Sequence, residues 1–170
     1  VWVKSDVRPR IVRLLLEHKA TPDLPDGDGR TPLERLAKSM KEGDNYNGAA
    51  ETFEALLQAG ANPARVDPTG QTLLHIWCDG PDSYSGSLDE VYGGLLKRHP
   101  EIANVTNFVG DTPLHIATRR GNYTKTHLLL ENGADAGARN ARGETAYFLA
   151  SINSHGTLAY ELRPKNASTS

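Results

Sequence analysis

Cysteine is nearly absent: Cys78 is the only one, so neither an intrachain disulfide nor a cysteine-based zinc site can be assembled. The expected setting is therefore reducing and intracellular, cytoplasm or nucleus. No stretch approaches the roughly 20 consecutive apolar residues of a membrane-spanning helix, which argues against a membrane role. A basic excess is missing too, since 19 Lys plus Arg stand against 21 Asp plus Glu for a formal net charge of -2. Phosphate contacts dominate nucleic-acid affinity, so this balance argues against a nucleic-acid binder. No phosphate-cradling glycine loop, nucleophile elbow or other catalytic motif is found, and the reading is of a protein that is not an enzyme.

What the chain does contain is a phased repeat. Its anchor is Thr112-Pro113-Leu114-His115-Ile116-Ala117, with weaker copies beginning at Thr31, Thr72 and Thr145. Thr112 and Thr145 stand 33 residues apart, whereas the earlier steps are 41 and 40. Just before each Thr comes an Asx-x-x-Gly element, beginning at Asp26, Asp67, Asn107 and Asn140. Asx side chains bond backbone two residues on and Gly supplies positive φ, so each copy predicts a turn. The following Thr can cap a helix, and Pro suits its first turn. Upstream of each turn lies an aliphatic helical run, such as Ile11–Leu16 or His127–Leu130, followed by Gly60, Pro100 or Gly133 as a stop. From Leu56 to Asp67, Leu96 to Asn107 and Leu129 to Asn140 the distance is 11 each time. The extra residues therefore belong between the two helices of a unit.

Turn, helix, loop, helix at a 33-residue period, with a Thr-Pro-Leu-His-Ile-Ala block, resembles the ankyrin repeat over roughly residues 8–163. The resemblance implies an all-α solenoid of helix-loop-helix units joined by β-hairpin-like turns, with enlarged interhelix loops in two repeats. The expected divisions are a partial repeat at 1–25, repeats at about 26–66, 67–106 and 107–139, a capping repeat at 140–163 and a flexible tail at 164–170. With no initiator Met and only half a unit before Asp26, the chain reads as the C-terminal part of a longer array. Lys19 takes the place of a helix-ending Gly. Trp77, where the family has a small residue, predicts looser or shifted packing. Phe148 replaces the signature His, and the short last unit reads as a polar end cap.

His75 and His115 invite a metal or catalytic reading, yet both occupy the signature position, where the family bonds imidazole to backbone. No metal-type spacing accompanies them, and no metal or cofactor is expected. Asp26/Asp28 and Asp79/Asp82 lie in Gly/Pro turn contexts and read as turn formers. Recognition has more to build on, because the family's turn tips and first helices line a variable concave surface. At the matching positions stand Phe108, Val109, Asp111, Arg119, Arg120, Arg139 and Arg142. An apolar pair at a turn and clustered guanidinium groups point to a protein partner carrying an acidic segment. Tyr46 and Tyr84, in Gly/Asn/Ser-rich insertions at 40–49 and 79–87, add aromatic anchors of a paratope-like kind. The expected function is protein recognition. The alternative is an ankyrin segment that regulates or positions an enzymatic domain elsewhere in a larger polypeptide.

Overall fold

The computed structural model describes residues 9–41, 48–80 and 86–164. Its organising element is a turn built four times by the same chemistry. In each copy the Asx carboxylate or amide Oδ1 accepts two backbone N–H bonds at 2.8–3.1 Å, from the residues two and four positions on. The Asx N–H in turn donates to the carbonyl four residues later. Gly29, Gly70, Gly110 and Gly143 close the turns at φ between 75° and 80°, where a side chain would be strained. No strand forms among the described residues.

Each turn delivers the chain to a first helix: α2 (Pro32–Lys41), α4 (Leu73–Asp79), α6 (Pro113–Arg119) and α8 (Ala146–Ile152). The second helices are α1 (Pro9–Glu17), α3 (Ala49–Gln58), α5 (Gly86–Arg98), α7 (Tyr123–Glu131) and α9 (Gly156–Glu161). Successive first helices pack in one layer, α2 on α4 on α6 on α8, and the second helices α1, α3, α5 and α7 pack in another. This is the expected all-helical solenoid.

The second helices stop for the reasons that the sequence suggested. Gly60 and Gly133 sit at φ 91° and 90°, and Lys19 adopts the same left-handed conformation at φ 63°. In all three copies the residue after the left-handed one reaches back to a last-turn carbonyl: Ala20 to Leu15, Ala61 to Leu56 and Ala134 to Leu129. These bonds satisfy carbonyls that a helix end leaves open. Pro100 instead starts a 3-10 helix, Pro100–Asn104, that buries Ile102 and Ala103. The two insertions are absorbed partly into helix. The first lengthens α2 to 10 residues against 7 in α6, and the second lengthens α5 to 13 against 9 in α7.

Packing at Trp77 departs from the looser fit expected. The indole is buried and stacks on Tyr92, with centroids 4.4 Å apart and planes at 17°. Tyr92 in turn meets Phe53 edge-on at 5.1 Å. Three second-layer and first-layer aromatics thus fill the space between repeats, and the Trp is accommodated by a facing ring. The polar end cap is also corrected. Phe148 is 45 % exposed, and Ile152 and Tyr160 stand further out. The last unit thus carries exposed apolar side chains where a polar surface was expected. At the other end α1 exposes Ile11, Leu14 and Leu15.

Candidate interaction surface on the turn tips

The signature histidines are spent on the framework. His75 Nδ1 accepts from the Thr72 backbone N–H at 3.2 Å, and the Thr72 hydroxyl lies 2.7 Å away. Its other ring nitrogen therefore carries the proton, and Nε2 donates to the Asp111 carbonyl of the next repeat at 2.8 Å. His115 repeats the arrangement, with Thr112 N–H at 3.1 Å and the Glu144 carbonyl at 3.0 Å. Each imidazole caps its own helix and ties it to the following turn. Burial holds His75 below the ordinary imidazole range, consistent with a neutral ring. Glu34 does the equivalent work in the first full repeat. It accepts from Thr31 N–H at 2.8 Å and from Arg65 Nη1 at 2.7 Å, and Arg65 also donates to the Gly29 carbonyl.

The residues singled out for recognition divide into two groups. Asp111 is 1 % exposed, which corrects its placement on an open surface. Its carboxylate accepts from Arg119 Nη1 and from Asn140 Nδ2, both at 2.8 Å. Burial pushes its acidity the other way, but these bonds outweigh it and hold the carboxyl below its ordinary range. Arg119 is accordingly an internal ion-pair partner within the third unit, and Asn140 is the residue that fixes the third turn to the fourth. Arg120 is more exposed and spans to Asp79 of the preceding repeat, Nε to Oδ1 at 2.6 Å.

Phe108, Val109, Arg139 and Arg142 form the second group, and all are exposed. Phe108 is 75 % exposed and Val109 55 %. The Phe108 ring nevertheless has a seat. A Cβ placed on Gly70 would come within 2.3 Å of it, so the ring lies flat across the glycine of the preceding tip. Pro68 sits on Gly29 in the same way, and Ala141 approaches Gly110 while its N–H donates to the Val109 carbonyl at 3.2 Å. The four tips are therefore one contiguous row. At its far end Arg142 Nε reaches Glu144 at 3.0 Å, and Arg139 donates to the Gly143 carbonyl at 2.7 Å. Tyr46 and Tyr84 lie outside the described residues.

Lys125 was missed by sequence reasoning. It is buried on α7, and its ammonium donates to the carbonyls of Trp77 and Gly80 at 2.8 and 3.2 Å. It lies 5.4 Å from the Trp77 ring centroid. A cation from one repeat thus closes the C-terminal end of α4 in the previous repeat, where helix dipole and open carbonyls favour positive charge. Nothing in its neighbours Thr124 and Thr126 marks the position, because the recipient carbonyls are 48 and 45 residues away. Two asparagines are likewise engaged in the framework. Asn122 is the buried cap of α7, accepting from Lys125 N–H, and Asn104 bridges to Gly133 and Asp135.

The family model described as "Ankyrin repeats (3 copies)" matches residues 44–140 and again 83–169. Among curated proteins, the chain is 31% identical over 162 residues to palmitoyltransferase ZDHHC13 of Mus musculus, covering 95% of this chain and 24% of that protein. It is 36% identical over 85 residues to the B-cell lymphoma 3 protein homolog of Mus musculus, covering 49% and 18%. With the NF-kappa-B inhibitor alpha of Sus scrofa it shares 37% identity over 90 residues, covering 52% and 28%. The chain spans about a quarter or less of the length of the first relatives it matches. With the matched length, the four Asx turns and the two-layer helix stack together, the chain belongs to the ankyrin-repeat family.

Proposed function

We propose that this array is a protein-recognition scaffold, without catalysis of its own, whose partner contacts centre on the tips of the third and fourth repeats. Arrays of ankyrin repeats are protein-interaction scaffolds, and the exposed Phe108 is the observation that carries the reading here. A large aromatic with three quarters of its surface in water, on a rigid tip, is the residue type that dominates interface hot spots. Val109 widens the apolar patch, and Arg139, Arg142 and Arg120 add guanidinium groups suited to a partner's acidic segment. The buried single cysteine suits a reducing intracellular setting.

The test is capture of partner proteins by the wild type and by a Phe108→Ser, Arg142→Glu variant, each with its melting temperature. Arg142 is chosen over Arg119 because Arg119 holds buried Asp111. Loss of capture at an unchanged melting temperature supports the reading; undiminished capture overturns it. A Tyr46→Ser, Tyr84→Ser variant run alongside reports on the insertions, and loss there alone moves the site to them.

A second reading rests on a specific observation. The similarity to ZDHHC13, named a palmitoyltransferase, covers 95% of this chain and only 24% of that protein. In that reading the array positions or regulates an enzymatic domain of a larger polypeptide. The natural coding sequence on either side of this segment decides it: a catalytic motif there supports it, and its absence removes it.

A further inference from the structure

The tip row has a charge order as well as an apolar centre. At its first turn Asp26 and Asp28 share one guanidinium, that of Arg35, which leaves an excess of negative charge. Two tips further on stand Phe108, seated on Gly70, and the exposed Val109. One tip beyond them Arg142 pairs with Glu144, while the guanidinium of Arg139 donates to the Gly143 carbonyl. The excess there is positive. Between the ends, Asp67 faces Arg30 and Asp111 faces Arg119, so the intervening charges are matched within the fold. The row is rigid because each tip is in contact with the next, through Pro68 on Gly29, Phe108 on Gly70 and Ala141 on Gly110.

Resting on the recognition reading above, the geometry points to one kind of occupant: an extended partner segment of fixed polarity, basic, then apolar, then acidic. Its apolar side chain sits on Phe108 and Val109. Its acidic residue meets Arg139 and Arg142, and its basic residue meets Asp26 and Asp28. Successive first helices pack at about 9 Å, and an extended chain advances about 3.3 Å per residue. The acidic residue therefore lies about three positions from the apolar one, and the basic residue about six positions away on the other side. A helical segment rises only about 1.5 Å per residue and would need about 6 and about 12 positions over the same distances, so the spacing of the probe peptide separates the two conformations.

The probe is a synthetic peptide with lysine, leucine and aspartate at those spacings in a Ser/Gly background, titrated into isotope-labelled protein and followed by backbone amide shifts. A second peptide exchanges the lysine and the aspartate. The first is expected to bind about tenfold more tightly than the second at low salt and to lose most of that advantage in high salt. It is expected to shift the amides of turns 26–29, 107–110 and 140–143. In an Arg139→Glu, Arg142→Glu variant the preference for the first peptide disappears. Equal affinity of the two peptides, with shifts still centred on Phe108, overturns the charge order and leaves tip recognition standing. Absence of shifts at the tips with either peptide overturns the extended-segment inference, and the Phe108→Ser capture experiment then judges the recognition reading separately.

Discussion

The interior repeats and the end repeats differ at one register position, and the difference shows how the array is held together. In the two interior units that position is His75 and His115, and each ring bonds the turn of the following unit. In the first full unit it is Glu34, which reaches the approach to the next turn through Arg65. In the last unit it is Phe148, which caps nothing and is half exposed. Thr145 still accepts from the Phe148 N–H at 3.2 Å, so the helix start survives the substitution. Local capping and coupling between repeats are thus separable functions of one residue. The histidine performs both, and the phenylalanine leaves only the threonine's half. In a solenoid, stability is the sum of unit and neighbour-interface contributions, so among the described residues an interior unit is held on two sides and an outer unit on one.

The largest effect expected from this contrast is in the interior aromatic block. Tyr92→Ala removes a fully buried ring that contacts both Trp77 and Phe53, and large-to-small core changes of this kind cost about 3–5 kcal/mol. Ile152→Ala, on the open face of the last unit, is expected to stay within about 0.5 kcal/mol. Chemical denaturation of the two variants measures this, and equal losses would remove the distinction between interior and end.

A smaller effect is expected at the register position itself. His115→Ala leaves the Glu144 carbonyl and Thr112 N–H without their partner, at about 1–3 kcal/mol. Amide exchange in turn 140–143 is expected to rise along with that in α6, since the bond crosses the repeat boundary. Phe148→His is expected to change stability little, because no following turn among the described residues offers a carbonyl. If His115→Ala melts as the wild type does, the coupling role assigned to the imidazole is wrong.

The smallest effect is on pH dependence. Burial lowers the folded-state affinity of His75 for protons, so the unfolded chain takes up the proton first as pH falls. The stabilisation by the neutral ring is complete above the ordinary imidazole value of about 6.5 and is lost as pH falls through the lowered folded value. Melting temperatures measured from about pH 7.5 down to about pH 5 should fall more steeply for the wild type than for His75→Gln. Parallel profiles would show that this ring does not titrate on unfolding.

The sequence by itself determined the unit and its phase. Asx-x-x-Gly and the capping Thr act within a few residues, so their chemistry is local and the structure reproduces it at all four turns, with the left-handed stop at three of the helix ends before them. Even Lys19 in a left-handed conformation was legible, from its place in the period alone. The lengths of the insertions were visible too, though not that each would extend a helix before leaving it. Tertiary stacking decided the rest, because it sets which variable residues face water. Arg119 carries the same signal as Arg139 and Arg142, yet it pairs with Asp111 inside the third unit, and Asn140 of the next unit completes that carboxylate's bonds. Trp77 found its place against Tyr92, 15 residues on, and Lys125 found its carbonyls on the previous unit. Such pairings depend on distances between packed helices, within and between repeats, that no period in the sequence encodes, and only the folded array brings their members together.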